Sequence, residues 1–177
     1  MSMRALRRSL AIVLAGATVA CSPALNWREV RLHGLQVMLP CKPDHGERNV
    51  QLGSLEVSMQ MSGCEASGTL YAISHVKVES ADQVIATQKA WRTAALANIQ
   101  ATTVQSQPIK LGKPTTGQPY PATAAMLSAL GTQPDGKAVH ARLAWVATGN
   151  DIYHVAVYGP QLDNERLETL FADLRPP

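Results

Sequence analysis

The stretch Ala138-Val-His-Ala-Arg-Leu-Ala-Trp-Val-Ala-Thr-Gly-Asn-Asp-Ile-Tyr-His-Val-Ala-Val-Tyr158 decides the fold. Val139, Ala141, Leu143 and Trp145 recur at every second position, the side-chain period of a strand. Gly149-Asn150-Asp151 breaks the pattern with turn-forming residues, and Ile152 to Tyr158 resumes it. Two strands joined by so short a turn must pair antiparallel. Upstream, Pro134-Asp135-Gly136 is a second turn of the same kind, preceded by strand-like Ala122 to Leu130. A three-stranded meander is therefore expected in the C-terminal half.

The rest of the chain fits around that meander. Trp27 to Leu32, Leu35 to Leu39, Arg48 to Leu52, Leu55 to Met61 and Thr69 to Val78 read as strands. The segment from Cys41 to Gly46 reads as a loop, and Gly63 to Gly68 as a turn. Ser80 with Gln83 forms a capping-box pattern that predicts a helix to about Asn98. Val84, Ile85, Trp91, Ala95 and Ile99 fall on one side of it. Thr102 to Gln107 has strand composition, and Lys110 to Pro121, rich in Pro, Gly and Thr, is a long loop. Leu167, Leu170, Phe171 and Leu174 mark a closing helix from Asp163 or Asn164. The expectation is α+β: one domain over residues 27–177, an antiparallel sheet with two amphipathic helices packed on it.

The N-terminus reads as an export leader. Arg4, Arg7 and Arg8 precede the apolar or small run from Ser9 to Ala20. Twelve residues of helix span about 18 Å, short of the roughly 30 Å hydrocarbon core, so this is a signal segment rather than a permanent span. Thr18-Val19-Ala20-Cys21 is similar to a lipobox, with Thr18 where Leu is usual. The reading is a lipoprotein signal peptide over 1–20, lipidation (palmitate included) of Cys21, and a tether over 21–26. Multiple acyl chains would make the membrane attachment stable. Ordinary cleavage after Ala17 or Ala20 is the competing reading. Ser22 after the cysteine favours the periplasmic face of the outer membrane over the inner membrane.

Charge and cysteines follow from the leader. Without its three arginines, 13 of the 16 Lys and Arg remain, matched by 13 Asp and Glu. A neutral domain has no field to collect phosphates, so no nucleic-acid partner is expected. If Cys21 carries lipid, Cys41 and Cys64 remain, and an oxidising compartment makes a disulfide between them the expectation. Two buried thiols or half of a metal site is the alternative, weakened by the absence of C-x-x-C and of neighbouring His ligands.

Leu35-Gln-Val-Met-Leu-Pro-Cys-Lys-Pro43 resembles the strand end "F-P-x-K-P" of bacterial PsbP/Mog1-like envelope proteins. Asp151 to Gly159 resembles the penultimate strand of that group, and the order of hairpin, helix, meander and closing helix matches it from Trp27 to Leu174. Cys41 stands where Gly is common. The resemblance implies a fold used mainly to bind other proteins, and it carries over no catalytic residue.

No nucleophile elbow, phosphate loop or H-E-x-x-H is present. Ser74 and Lys77 have S-x-x-K spacing, but on a strand they point to opposite faces. His33 and His45 are expected in solvated turns, and His75, His140 and His154 on sheet faces. No catalytic residue, cofactor or metal ligand is assigned. The leading expectation is a non-enzymatic envelope lipoprotein that contacts another protein. A small-ligand or metal-binding module using Tyr120, His140 and His154 is the alternative, and a hydrolase with a dispersed site the third reading.

Overall fold

The computed structural model describes residues 25–115, 123–172 and 174–177. The leader, Cys21 and Tyr120 lie outside them. Nine strands and two helices are described: β1 (Arg28–Leu32), β2 (Leu35–Leu39), β3 (Asp44–Leu52), β4 (Leu55–Ala66), β5 (Thr69–Lys77), α1 (Asp82–Asn98), β6 (Thr103–Gln107), β7 (Thr123–Thr132), β8 (Ala138–Thr148), β9 (Asp151–Gly159) and α2 (Asn164–Ala172).

Seven strands form one antiparallel sheet in the order β3-β4-β5-β9-β8-β7-β6, and β1 and β2 form a separate hairpin. The meander is present, with Trp145 opposite His154 and Ala147 opposite Ile152. One face of the sheet buries Val139, Ala141, Leu143 and Trp145 together with Val84, Trp91, Ala95 and Ile99 of α1. The other face buries Ala144, Val146, Val155 and Val157 beneath the hairpin and beneath Leu167, Leu170 and Phe171 of α2. We call these the α1 face and the hairpin face.

Several boundaries differ from the sequence reading. The sheet is not single, because the first hairpin stands on the large sheet instead of extending it. β3 begins at Asp44, so His45 lies in a strand, with Nδ1 2.7 Å from Ser62 Oγ. β4 continues to Ala66, and the turn narrows to Ser67 and Gly68, both at positive φ. Helix α1 starts at Asp82, and its N-cap Ala81 makes no side-chain capping bond. Only half of the box forms: Gln83 Oε1 accepts from the backbone N–H groups of Glu79 and Ser80. Ile85 is 68% exposed, and Thr87 takes the buried place expected for it. Beyond the helix, Thr132 N donates to Ile99 O at 2.6 Å. A Cβ at Gly131 would collide with that same carbonyl, so only glycine allows β7 this close to the end of α1.

Cys41 and Cys64 are bonded, with Cα atoms 5.9 Å apart. This removes the free-thiol and metal readings of that pair. The bridge ties the end of β2 to β4, across the two sheets. Closing a loop of this length stabilises the fold by about 3 kcal/mol through the unfolded state. The C-terminal tail adds a second tie: Gln36 N donates to Arg175 O and Arg175 N to Gln36 O, both at 2.9 Å. Among the described residues no helix is long and apolar enough to cross a membrane.

Candidate functional site

Strand alternation assigns each histidine to a face. On β8 the odd positions meet α1, so His140 lies on the hairpin face. On β9 the even positions meet α1, so His154 lies on the α1 face. The site expected to join His140 and His154 therefore does not form, because the sheet separates them. Ser74 and Lys77 of β5 also fall on opposite faces, with Ser74 buried and Lys77 exposed.

His154 is 6% exposed. Its ring stacks on Trp145 at 4.5 Å between centroids and meets Trp91 edge-on at 5.3 Å. Burial without a nearby carboxylate pushes its pKa from the ordinary 6.5 down to about 3. His154 is thus a neutral core residue. Its Nε2 and the Nε1 of Trp145 make no hydrogen bond to the described residues.

On the hairpin face a polar cluster forms that the sequence reading did not assemble. His33, in the β1–β2 turn at φ 47°, stacks on buried His75 at 4.0 Å. His75 Nε2 lies 2.8 Å from Asp151 Oδ1. The Tyr153 hydroxyl donates to His33 O at 2.7 Å, and Gln60 Oε1 meets His33 Nε2. Desolvation lowers the His75 pKa, against the opposing bond to Asp151. Desolvation also raises the Tyr153 pKa. Every polar atom named here already has a partner, and the two imidazole planes run nearly parallel, 16° apart, so their ring lone pairs do not converge on one ion. This cluster pins the hairpin to the sheet. Among the described residues no group of three or more His, Cys, Asp and Glu is arranged to hold a metal ion.

Two grooves open on the same face. The larger, about 630 Å³, lies between the hairpin, the start of the expected loop and the tail, and Arg31, Gln36, Lys113 and Arg175 border it. Arg31 is already paired with Glu29 at 2.7 Å. The smaller, about 270 Å³, lies between β6, β7, β8 and the start of α2. Its floor is β8, where His140 and Arg142 take the even positions that Ala144 and Val146 occupy further along in the core of this face. Gln105, Ser128 and Asn164 border it. Arg142 is half-buried, and its Nε is fully buried without a hydrogen-bond partner among the described residues. No ion pair to Arg142 is found among the described residues. Desolvation lowers its pKa, with no carboxylate acting against it. The sequence signal was the switch along one strand from polar at 140 and 142 to apolar at 144 and 146, which marks where the core of this face ends.

The two edges of the large sheet also differ. β3 is nine residues long and displays Asp44, Glu47 and Arg48. β6 is five residues, Thr103-Val-Gln-Ser-Gln107, without a charge. Its Val104 and, on neighbouring β7, Leu130 are each 41% exposed.

No protein-family model matches this chain, and no curated protein matches it.

Proposed function

We propose that this chain is a lipid-anchored bacterial envelope protein that acts by contact with another protein and not by catalysis. The observation that carries the contact role is the asymmetry of the sheet edges. Charges on an edge strand discourage strand addition, and β3 has them. β6 has none, and its outward N–H and C=O groups offer a register for one extended segment. Val104 and Leu130 flank that register on opposite faces of the sheet. The occupant we infer is an extended, uncharged segment of a different protein, pairing antiparallel to β6.

Other features support the setting. The Cys41–Cys64 bridge suits an oxidising compartment and leaves Cys21 as the odd cysteine, free to take lipid. The order of hairpin, helix, meander and closing helix, on which the PsbP/Mog1-like resemblance rests, supports reading the chain as that kind of domain.

A photocrosslinking residue placed at Val104 or at Glu47 tests the contact role in intact cells. Adducts to one defined protein from position 104, absent from position 47 and lost with Ser106→Lys, are the expected result. Equal adducts from both edges, or adducts only between two copies of this chain, would overturn the reading. For the tether, Cys21→Ala should release the protein from the membrane fraction and lower the mass of its N-terminal peptide by the acyl groups. A mass change no larger than the loss of the cysteine sulfur would remove the lipid from the proposal.

A further inference from the structure

The groove above Arg142 has the chemistry of a receptor for one negative charge. A guanidinium that loses hydration without gaining a counter-ion is costly in a folded protein. Arg142 is in that position: half-buried, its Nε sealed and, among the described residues, unpaired, with no acid among those that border the groove. Its neighbours are donors or adaptable groups. Ser128 Oγ accepts from Gln107 Nε2 at 3.0 Å, which leaves the hydroxyl proton to donate. The backbone places Ser128 directly opposite Arg142, and Leu130 opposite His140.

We propose that this groove is a carboxylate-binding site, in which Arg142 takes the anion through its planar fork and Ser128 donates alongside it. One guanidinium balances one unit of charge, and its paired donors match the two coplanar oxygens of a carboxylate. A phosphate dianion would leave charge unbalanced, since among the described residues Arg142 is the only Lys or Arg that borders the groove. The volume, about 270 Å³, is below that of sites for drug-sized ligands. It suits a short free acid, or one carboxylate carried by a peptide. The groove opens beside β6, so the peptide source rests on the edge-docking reading above, whereas the free-acid source does not.

Titration of the purified mature protein by ¹⁵N NMR tests this, with three probes: acetate, a short uncharged peptide ending in a free carboxylate, and the same peptide amidated at its C-terminus. Saturable shifts at Ser128, His140 and the Arg142 Nε–H are expected, and Arg142→Gln should weaken binding at least tenfold. Arg142→Lys, which keeps the charge but loses the fork, should fall between. Tight binding of the acid-ended peptide with weak acetate binding assigns a peptide source, and tight acetate binding assigns a free acid. Ser106→Lys separates the two proposals. Its new charge lies on the α1 face, so it should abolish edge capture and leave acetate binding unchanged. Equal affinity of the amidated peptide, no saturable shift with any probe, or full binding by Arg142→Gln would overturn the carboxylate site without touching the edge reading.

Discussion

The two faces of the large sheet bury their histidines in opposite ways. On the α1 face His154 sits between two tryptophans with no carboxylate near among the described residues, and behaves as an apolar side chain. On the hairpin face His75 holds Asp151, stacks on His33, and anchors a turn from a different part of the chain. The difference follows from how each face is covered. A single amphipathic helix packs on the first. Three separate pieces cover the second: a hairpin, a tail and a shorter helix, stitched by a disulfide and by polar contacts. Seams between the pieces leave grooves bordered by Arg31, Lys113 and Arg142, and a further groove of about 700 Å³ opens on the α1 face between the end of α1, Leu70, Val139 and Tyr158.

Acid should break the contrast with the largest effect. The fold holds the His154 pKa near 3 against 6.5 in the unfolded chain, so folding favours the neutral ring. That contribution is complete above pH 6.5 and is lost as pH falls toward 3. At ~1.4 kcal/mol per tenfold change in proton affinity, the whole effect is about 5 kcal/mol. His75 moves in the same direction, moderated by Asp151. Urea unfolding at stepped pH should therefore show a steep acid limb that flattens in His154→Leu. An unchanged limb in that variant would mean that the α1 face is not the dry one.

Second in size is the bridge. Reduction, or the double change of Cys41→Ser and Cys64→Ser, should remove about 3 kcal/mol. Hydrogen exchange tells more than the midpoint. Amides of β1 and β2 should lose protection first, because the staple joins their hairpin to β4. Uniform loss across both faces would show that the hairpin and the sheet open as one unit.

How much of this was legible in the chain depends on how local each signal is. The meander could be read because its turns and its period of two lie within a few residues of each other. The bridge followed from counting cysteines. The separate hairpin could not be read: β1 and β2 have ordinary strand patterns, and only packing over β5 and β9 sets them apart from the large sheet. Asp44 to Gly46 look like a loop, yet pairing with Met61 to Gly63 makes them strand. The His33–His75–Asp151 cluster joins residues far apart in sequence, and no spacing rule links them. His140 and His154 looked like neighbours on one hairpin, but their odd-and-even relation through the turn puts them on opposite faces.

Arg142 offers a stabilising change that should remove function. Replacing a half-buried, unpaired cation with an apolar side chain of similar length relieves its desolvation. Arg142→Met should raise stability by roughly 1 kcal/mol in ligand-free protein and abolish the saturable response to acetate. Loss of stability instead would mean that the guanidinium already has a strong partner in the fold, and the groove would be structural.

The smallest effect tests whether the two faces are energetically separate. Helix α1 ends with Gln100 at φ 45°, where Ala101 N donates to Leu96 O and Gln100 N to Ala97 O. This is a Schellman termination, and glycine is the residue that adopts its left-handed position without a Cβ penalty. Gln100 is exposed, so its side chain contributes little packing. Gln100→Gly relieves the strained backbone but gives the unfolded chain more freedom, and the two effects oppose each other. A net gain of about 0.5 kcal/mol is expected. The cap docks on β7 through the Thr132–Ile99 bond, far from the bridge and on the other side of the sheet. Changes at sites that share no partners add to within about 0.5 kcal/mol. The gain should therefore be the same in oxidised and in reduced protein. If the bridge must be intact for Gln100→Gly to stabilise, the α1 layer draws on the hairpin layer for its order, and the sheet does not insulate one face from the other.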